Sequence, residues 1–261
     1  MSTTVTVPDR RRWLLGLAAA AGTGCSALPE AAVPARARAE RRLDQVVRFS
    51  DFPAGPGVPP GWDPYMVIRR EPTRYDLARA DGGVTVLRAK AGPKAATGLY
   101  CKVAIDPNER PILSWRWRSE RLLDGADVSD NDADDSPVRI ALAFDGSRER
   151  FGFRDLLFFE QVRFFTDIDL PYATLIYVWD AQAASDTLIG VPQTSRIRYL
   201  VAESGSARLG RWIDYRRDVV ADFRRAYGEA PGRLLAVGLI TDTDDTGESA
   251  ESYYGDIALS R

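Results

Sequence analysis

The chain has 261 residues, 45% of them hydrophobic and 10% aromatic, with a formal net charge of −2. That composition is ordinary for a globular protein, and the balanced charge gives no sign of a nucleic-acid binder, which would carry a basic patch and a high pI. It contains no histidine, so Ser-His-Asp triads, Cys-His pairs and imidazole-ligated zinc sites are all excluded, and any acid–base chemistry falls to carboxylates, Lys, Tyr or Cys.

Residues 1–25 read as an export signal: Arg10-Arg11-Arg12 precede a short apolar run from Trp13 to Ala21, then small residues up to Cys25. The run falls short of the roughly 20 apolar residues that a membrane-spanning helix needs. Asp9-Arg10-Arg11-Arg12-Trp13-Leu14 resembles the twin-arginine motif, leaving that route and the general one both open. Gly22-Thr23-Gly24-Cys25 resembles a bacterial lipobox, in which Cys25 is lipidated and becomes the mature N-terminus. Gly22 stands where that pattern prefers Leu, so cleavage near Cys25 without lipid is the alternative. Residues 26–42, rich in Ala, Pro, Arg and Glu without apolar periodicity, read as a flexible tether, and residues 43–261 as one domain starting near Leu43. The expected location is the bacterial periplasm or outer envelope. If Cys25 carries lipid, the only other cysteine, Cys101, has no disulfide partner and reads as a small core residue.

From Val46 onward, short β-type runs alternate with Gly, Pro, Asp and Asn, which predicts an all-β, two-sheet, jelly-roll-like sandwich with one or two short helices packed on it. Strands are expected near Val46–Phe49, Tyr75–Ala78, Val84–Ala89, Thr97–Val103, Ile112–Arg118, Val138–Phe144, Ala173–Trp179, Arg196–Val201, Leu234–Thr241 and Ser252–Leu259. Ala80-Asp81-Gly82-Gly83-Val84 carries the Asp-Gly signature of a tight hairpin. Two segments have helical spacing. One is Phe153 to Phe165, whose Phe density suits either a cover on the sandwich or a membrane- or partner-contacting surface. The other is Val219 to Tyr227, with Gly228 placed as its C-cap.

Two acidic loops carry the candidate chemistry. Asp242-x-Asp244-x-Thr246-Gly247 matches the opening of a calcium loop, with oxygens at alternating positions and a Gly for the turn; the twelfth position is Tyr253 rather than Glu, so it is no EF-hand. Asp130-x-Asp132-x-Asp134 has similar spacing. If the loops meet, Asp132, Asp134, Asp135, Asp242, Asp244 and Asp256 are the candidate metal ligands, and an all-oxygen set favours calcium; otherwise these are solvated turn acids. Paired carboxylates also fit a polysaccharide hydrolase. Trp115-Arg116-Trp117-Arg118 alternates strictly, placing the tryptophans on one face of a strand and the arginines on the other. Arg116, Arg118, Tyr177, Trp179 and Tyr253 are the candidate ligand-binding residues, suited to stacking on sugars or pairing with acidic groups.

At Leu113-Ser114-Trp115-Arg116-Trp117, Asp134-Asp135-Ser136-Pro137-Val138-Arg139-Ile140, Thr174-Leu175-Ile176-Tyr177-Val178-Trp179, and Thr241 to Gly247 with Tyr254-Gly255-Asp256-Ile257, the chain resembles the domain-of-unknown-function family numbered 3047. Relatives often have Asp-Asn-Thr-Gly where this chain has Asp244-Asp245-Thr246-Gly247, which adds a charge. The resemblance implies a bacterial envelope protein without an assigned activity. More distantly, the Tyr-Gly-Asp-Ile strand is similar to the closing strand of galactose-binding-like and laminarin-binding-like jelly rolls, which implies calcium and glycans. The expectation is therefore an exported, non-catalytic module binding a glycan or another envelope component, with calcium as cofactor and the membrane as a further partner through Cys25. The alternatives are a carboxylate-dependent polysaccharide hydrolase and a structural lipoprotein with a protein partner.

Overall fold

The computed structural model describes residues 44–66, 70–166 and 168–261, except the side chains of Met66 and Phe165. The export signal, Cys25, the tether and the domain start at Leu43 lie outside the described residues.

Two seven-stranded sheets face each other. The first holds β1 (Gly55–Pro56), β3 (Arg74–Arg79), β4 (Thr85–Ala91), β13 (Ala250–Tyr254), β6 (Ile112–Ser119) and β11 (Ile213–Asp218) in that spatial order, with β14 (Ala258–Ser260) also on β6. The second runs β2 (Asp63–Met66), β5 (Ala96–Ile105), β12 (Leu234–Asp242), β7 (Ser136–Phe144), β8 (Ala173–Asp180), β10 (Ile197–Ser204) and β9 (Leu188–Gly190). All pairings between these strands are antiparallel except β8 with β10. A parallel pair needs a long crossover, and residues 181–196 supply one that carries β9 rather than a helix. The fold is the predicted β-sandwich.

Alternation decides which residues meet between the sheets. Leu113, Trp115 and Trp117 of β6 are buried, as are Val138, Ile140, Leu142 and Phe144 of β7 and Leu175, Tyr177 and Trp179 of β8. Trp115 reaches across to Tyr177 with ring centroids 4.9 Å apart, and on its own sheet it stacks on Tyr215 at the same spacing. Polar ties also cross the gap. The Tyr254 hydroxyl lies 2.8 Å from both the Ile240 carbonyl and the Thr241 hydroxyl, and Tyr75 donates to the Thr97 carbonyl at 2.6 Å. Buried hydroxyls without such partners would cost stability.

The hairpin at Asp81 forms as expected, with Gly82 and Gly83 both at positive φ and Ala80 donating to the Val84 carbonyl at 2.9 Å. Helix α1 spans Phe153–Thr166 and α2 spans Val219–Tyr227. Asp218 caps α2 by accepting from the Ala221 amide at 3.0 Å, and Gly228 closes it in the left-handed region. Phe223 then packs edge-on against Phe144 at 4.7 Å. Because Phe144, Leu234 and Ile105 pair at one end of the second sheet, α2 plugs that end, opposite the start of β7.

Two expected strands differ. Val46–Phe49 does not join a sheet: Val46 and Phe49 are buried, and a 3-10 turn begins at Phe49. Trp62 donates its indole N–H to the Val47 carbonyl at 3.0 Å, so side chains rather than a ladder hold this segment. Ser252–Leu259 is two strands, β13 and β14, laid along the same side of β6 and interrupted at Gly255–Ile257. There the Asp256 carboxylate accepts from the Ser50 amide and from Arg48 Nε, each at 3.0 Å, and Ile257 enters the core. The sequence reading lacks β11, because only Ile213 and Tyr215 interrupt its charges.

The faces of β6 predict an asymmetry. Trp117→Ala removes a fully buried side chain and should cost about 3–5 kcal/mol. Arg118→Ala removes a partly exposed partner of Glu120 and should change stability by about 0.5 kcal/mol or less. Urea unfolding of the two variants measures both.

Candidate functional site

The two acidic loops converge because of the topology. β7 and β12 are antiparallel neighbours with Asp242 opposite Ser136, so the loop ending at Asp135 and the loop starting at Thr243 leave the same edge of the sheet. Asp242 accepts from the Ser136 amide at 3.0 Å. Asp135 reaches over the second loop, accepting from the Thr246 amide at 2.7 Å and the Asp245 amide at 3.3 Å. Gly247, at φ +70°, closes the turn by donating to the Thr243 carbonyl at 3.1 Å.

Within this junction Asp135, Asp244 and Asp245 each place a carboxylate oxygen within 4.8 Å of the others. That spacing fits a hard cation whose oxygen ligands lie about 2.3–2.6 Å from it. Arg70 lies 2.8 Å from Asp244 and 3.9 Å from Asp245. Asp134 and Asp242 turn toward Arg139 instead, at 2.8 and 3.3 Å, and Tyr199 donates to Asp134 at 2.8 Å. The Arg139 side chain is only 5% exposed, so its charge is matched inside the protein rather than in water. Around the junction five carboxyl groups face two guanidiniums, Arg70 and Arg139, so acids outnumber bases. Burial pushes the Asp242 carboxyl up to about 8 against the pull of Arg139. Burial, then the neighbouring Asp244 and Asp135, push Asp245 up to about 6. Asp244 is raised by burial, opposed by Arg70.

Of the sequence-predicted ligands, Asp135 and Asp244 thus meet, and Asp245 completes the trio. Asp132 is exposed in its loop, and Asp256 is engaged at the β13–β14 break. Asp245, Arg70, Arg139 and Tyr199 were not singled out from sequence. A lone Arg inside the apolar run Val138-Arg139-Ile140 was the available signal for one of them.

The candidate ligand residues divide in the same way. Tyr177 and Trp179 are fully buried; Tyr177 donates to Asp222 at 2.8 Å and Trp179 to the Gly205 carbonyl at 2.9 Å, so neither presents a stacking surface. Arg116, Arg118 and Tyr253 share the outer face of the first sheet. The Arg116 guanidinium lies 4.1 Å from the centre of the Trp212 ring, and its stem passes over Gly255, where a Cβ would fall 2.3 Å from Arg116 Cγ. Trp212 meets Tyr253 edge-on at 6.3 Å, and Arg118 lies 5.8 Å from the Tyr253 ring centre. Beside Arg116 is a partly open recess of about 380 Å³ whose lining includes Asp81, Ser114, Asp214 and Asp256.

The family model described as "Protein of unknown function (DUF3047)" matches residues 60–258. The chain belongs to that family. Among curated proteins none matches. Solved structures similar to this DUF3047 member include the family 11 carbohydrate-binding module of the cellulase Lic26A-Cel5E of Clostridium thermocellum, at 11% identity over 84% of this chain and 96% of that one, TM-score 0.39. Another is the xyloglucanase domain of NopAA from Sinorhizobium fredii, at 8% identity over 80% and 96%, TM-score 0.42. A third is the glycoside hydrolase domain of Endo-D from Streptococcus pneumoniae R6, at 10% identity and TM-score 0.36; the match covers 76% of this chain but only 21% of that one.

The raised carboxyls of the DUF3047 junction make stability depend on pH with a definite sign. A carboxyl raised in the folded state stabilises it fully at pH below the unfolded value, 3.8, and loses that contribution as pH rises through the folded value, about 6 for Asp245 and about 8 for Asp242. In chelator, the melting temperature should therefore fall from about pH 4 to about pH 8, and Asp242→Asn should flatten the upper part of that fall. Thermal melts across this range measure it.

Proposed function

We propose that this protein is a non-catalytic binding module, exported to the bacterial envelope and carried there on a lipid at Cys25, that takes an acidic envelope glycan on the outer face of its first sheet. The observation that carries this reading is the Arg116–Trp212 surface. A guanidinium held 4.1 Å over an indole, its stem fixed by the close passage over Gly255, offers its other face for stacking on a sugar ring and its terminal edge for a carboxylate. Tyr253 and Arg118 extend that surface along the strand.

Calcium belongs to the same reading as a structural cofactor held by Asp135, Asp244 and Asp245. What supports it is the excess of acids over bases at the junction and the all-oxygen donor set. Joining the two loops, the ion would offset the mutual repulsion of the three carboxylates. The hydrolase alternative draws on the same acids and is separated from this reading by the activity test below.

Two measurements test the proposal. Arg116→Ala should weaken retention on immobilised acidic envelope polysaccharide by on the order of tenfold, the loss of one charge-assisted, stacked contact, with an unchanged melting temperature. Gly255→Ala, which displaces the Arg116 stem, should weaken it as well. Binding to no polysaccharide sinks the reading, and sugar release abolished by Asp244→Asn would replace it with the hydrolase. Separately, calcium but not magnesium should raise the melting temperature above that in chelator, since a ligand of the folded state stabilises it by mass action; no shift removes calcium from the proposal.

A further inference from the structure

Helix α1 buries one side and exposes apolar side chains on the other. Its inner side is fixed firmly: Asp155 accepts from the Thr194 hydroxyl and from both the amide and hydroxyl of Ser195, each at 2.6 Å. Phe159 packs edge-on against Phe151 at 4.7 Å. On the outer side Phe153 is 82% exposed and Phe164 83%, with Leu156 and Leu157 at 43% and 47%. At 100° per residue Phe153, Leu157 and Phe164 fall within about 40° of one another, Leu156 lies beside them, and Arg154 and Arg163 stand about 100° to either side. Glu160 lies within the strip and is neutralised by Arg163 at 2.6 Å.

We infer that this strip is a membrane-contact surface that lies in the headgroup region of a phospholipid bilayer. Three observations select lipid over another protein. The strip is convex and holds four apolar side chains, far short of the roughly 800 Å² per partner that a stable protein interface buries, whereas a fluid bilayer needs no complementary pocket. Arg154, at one margin, can keep its charge at the phosphates while the rings insert. The third is the direction from which the chain arrives. Arg110 donates to the Asp44 carbonyl at 2.6 Å, so Asp44 lies by the turn after β5. That is the same end of the sandwich as Phe144 and α1, opposite the acidic loops. The eighteen residues from Ser26 to Leu43 reach at most roughly 60 Å. A lipid at Cys25 would tether the domain from this end and so keep it within reach of the bilayer; this third argument rests on the lipid-anchored reading above, while the first two do not.

The test uses the full chain with Cys25→Ser, so no lipid is required, and with Cys101 buried. Phe164→Cys then carries a single polarity-sensitive fluorophore, and Asp124→Cys, in an exposed loop near the acidic end, carries it in a second protein. On vesicles of phosphatidylethanolamine and phosphatidylglycerol, the 164 probe should brighten and shift to the blue while the 124 probe stays unchanged. In unlabelled protein, Phe153→Ser with Phe164→Ser should weaken vesicle partitioning by on the order of tenfold or more. An unchanged 164 probe on bound vesicles, or equal responses at both positions, overturns the inference. So does a 164 response that appears with protein concentration in the absence of lipid, which would make a second copy the occupant. None of these outcomes depends on glycan binding at Arg116.

Discussion

The junction depends on one buried guanidinium. Arg139 sits mid-sheet on the face of β7 that turns away from the sandwich core, a position where an alternating strand normally meets solvent. Here it is covered. Tyr199 lies over it, 5.3 Å from guanidinium to ring centre, and Asp134 and Asp242 flank it. A buried charge must be matched, and removing either partner of such a pair costs on the order of 3–5 kcal/mol. Arg139 therefore obliges one carboxylate from each acidic loop to turn inward. With Asp134 and Asp242 taken, the remaining acids, Asp135, Asp244 and Asp245, are left facing each other.

The same division of labour runs through the whole sandwich. Strand alternation commits Trp115, Trp117, Tyr177 and Trp179 to the core, and every aromatic placed there is withdrawn from ligand binding. What stays outside is the complementary set on β6 and its neighbours: Arg116, Arg118, Trp212 and Tyr253. Trp212 belongs to the segment entering β11, the strand least visible in sequence, so the partner that orients Arg116 is supplied by a long-range pairing. Gly255 contributes by lacking a side chain. It permits Arg116 to cross the break between β13 and β14, and that break in turn frees Asp256 to fasten the amino-terminal segment at Ser50 and Arg48.

The two ends of the sandwich are chemically opposed. One end carries the carboxylate loops; the other carries α2, the base of α1 and the point where the chain enters at Asp44. This polarity follows from antiparallel pairing, since the start of β7 and the end of β12 must share an edge while their other ends share the opposite one. The Arg116 face lies along the side between the two ends.

The sequence alone determined the class and most of the strands, because period-2 burial and Gly, Pro and Asp punctuation are local properties, and it determined both helices and the Gly228 cap for the same reason. It also determined what chemistry is impossible, since a chain without histidine lacks imidazole in any fold. Long-range pairing decided the rest. That Val46 to Phe49 is pinned by side chains rather than laddered, that the last strand breaks at Gly255, and that β8 and β10 run parallel are choices between elements far apart in sequence. The acidic loops show the limit most clearly. Their spacing announced oxygen ligands, yet which acids face one another was set by a single arginine on β7, whose burial no local pattern encodes.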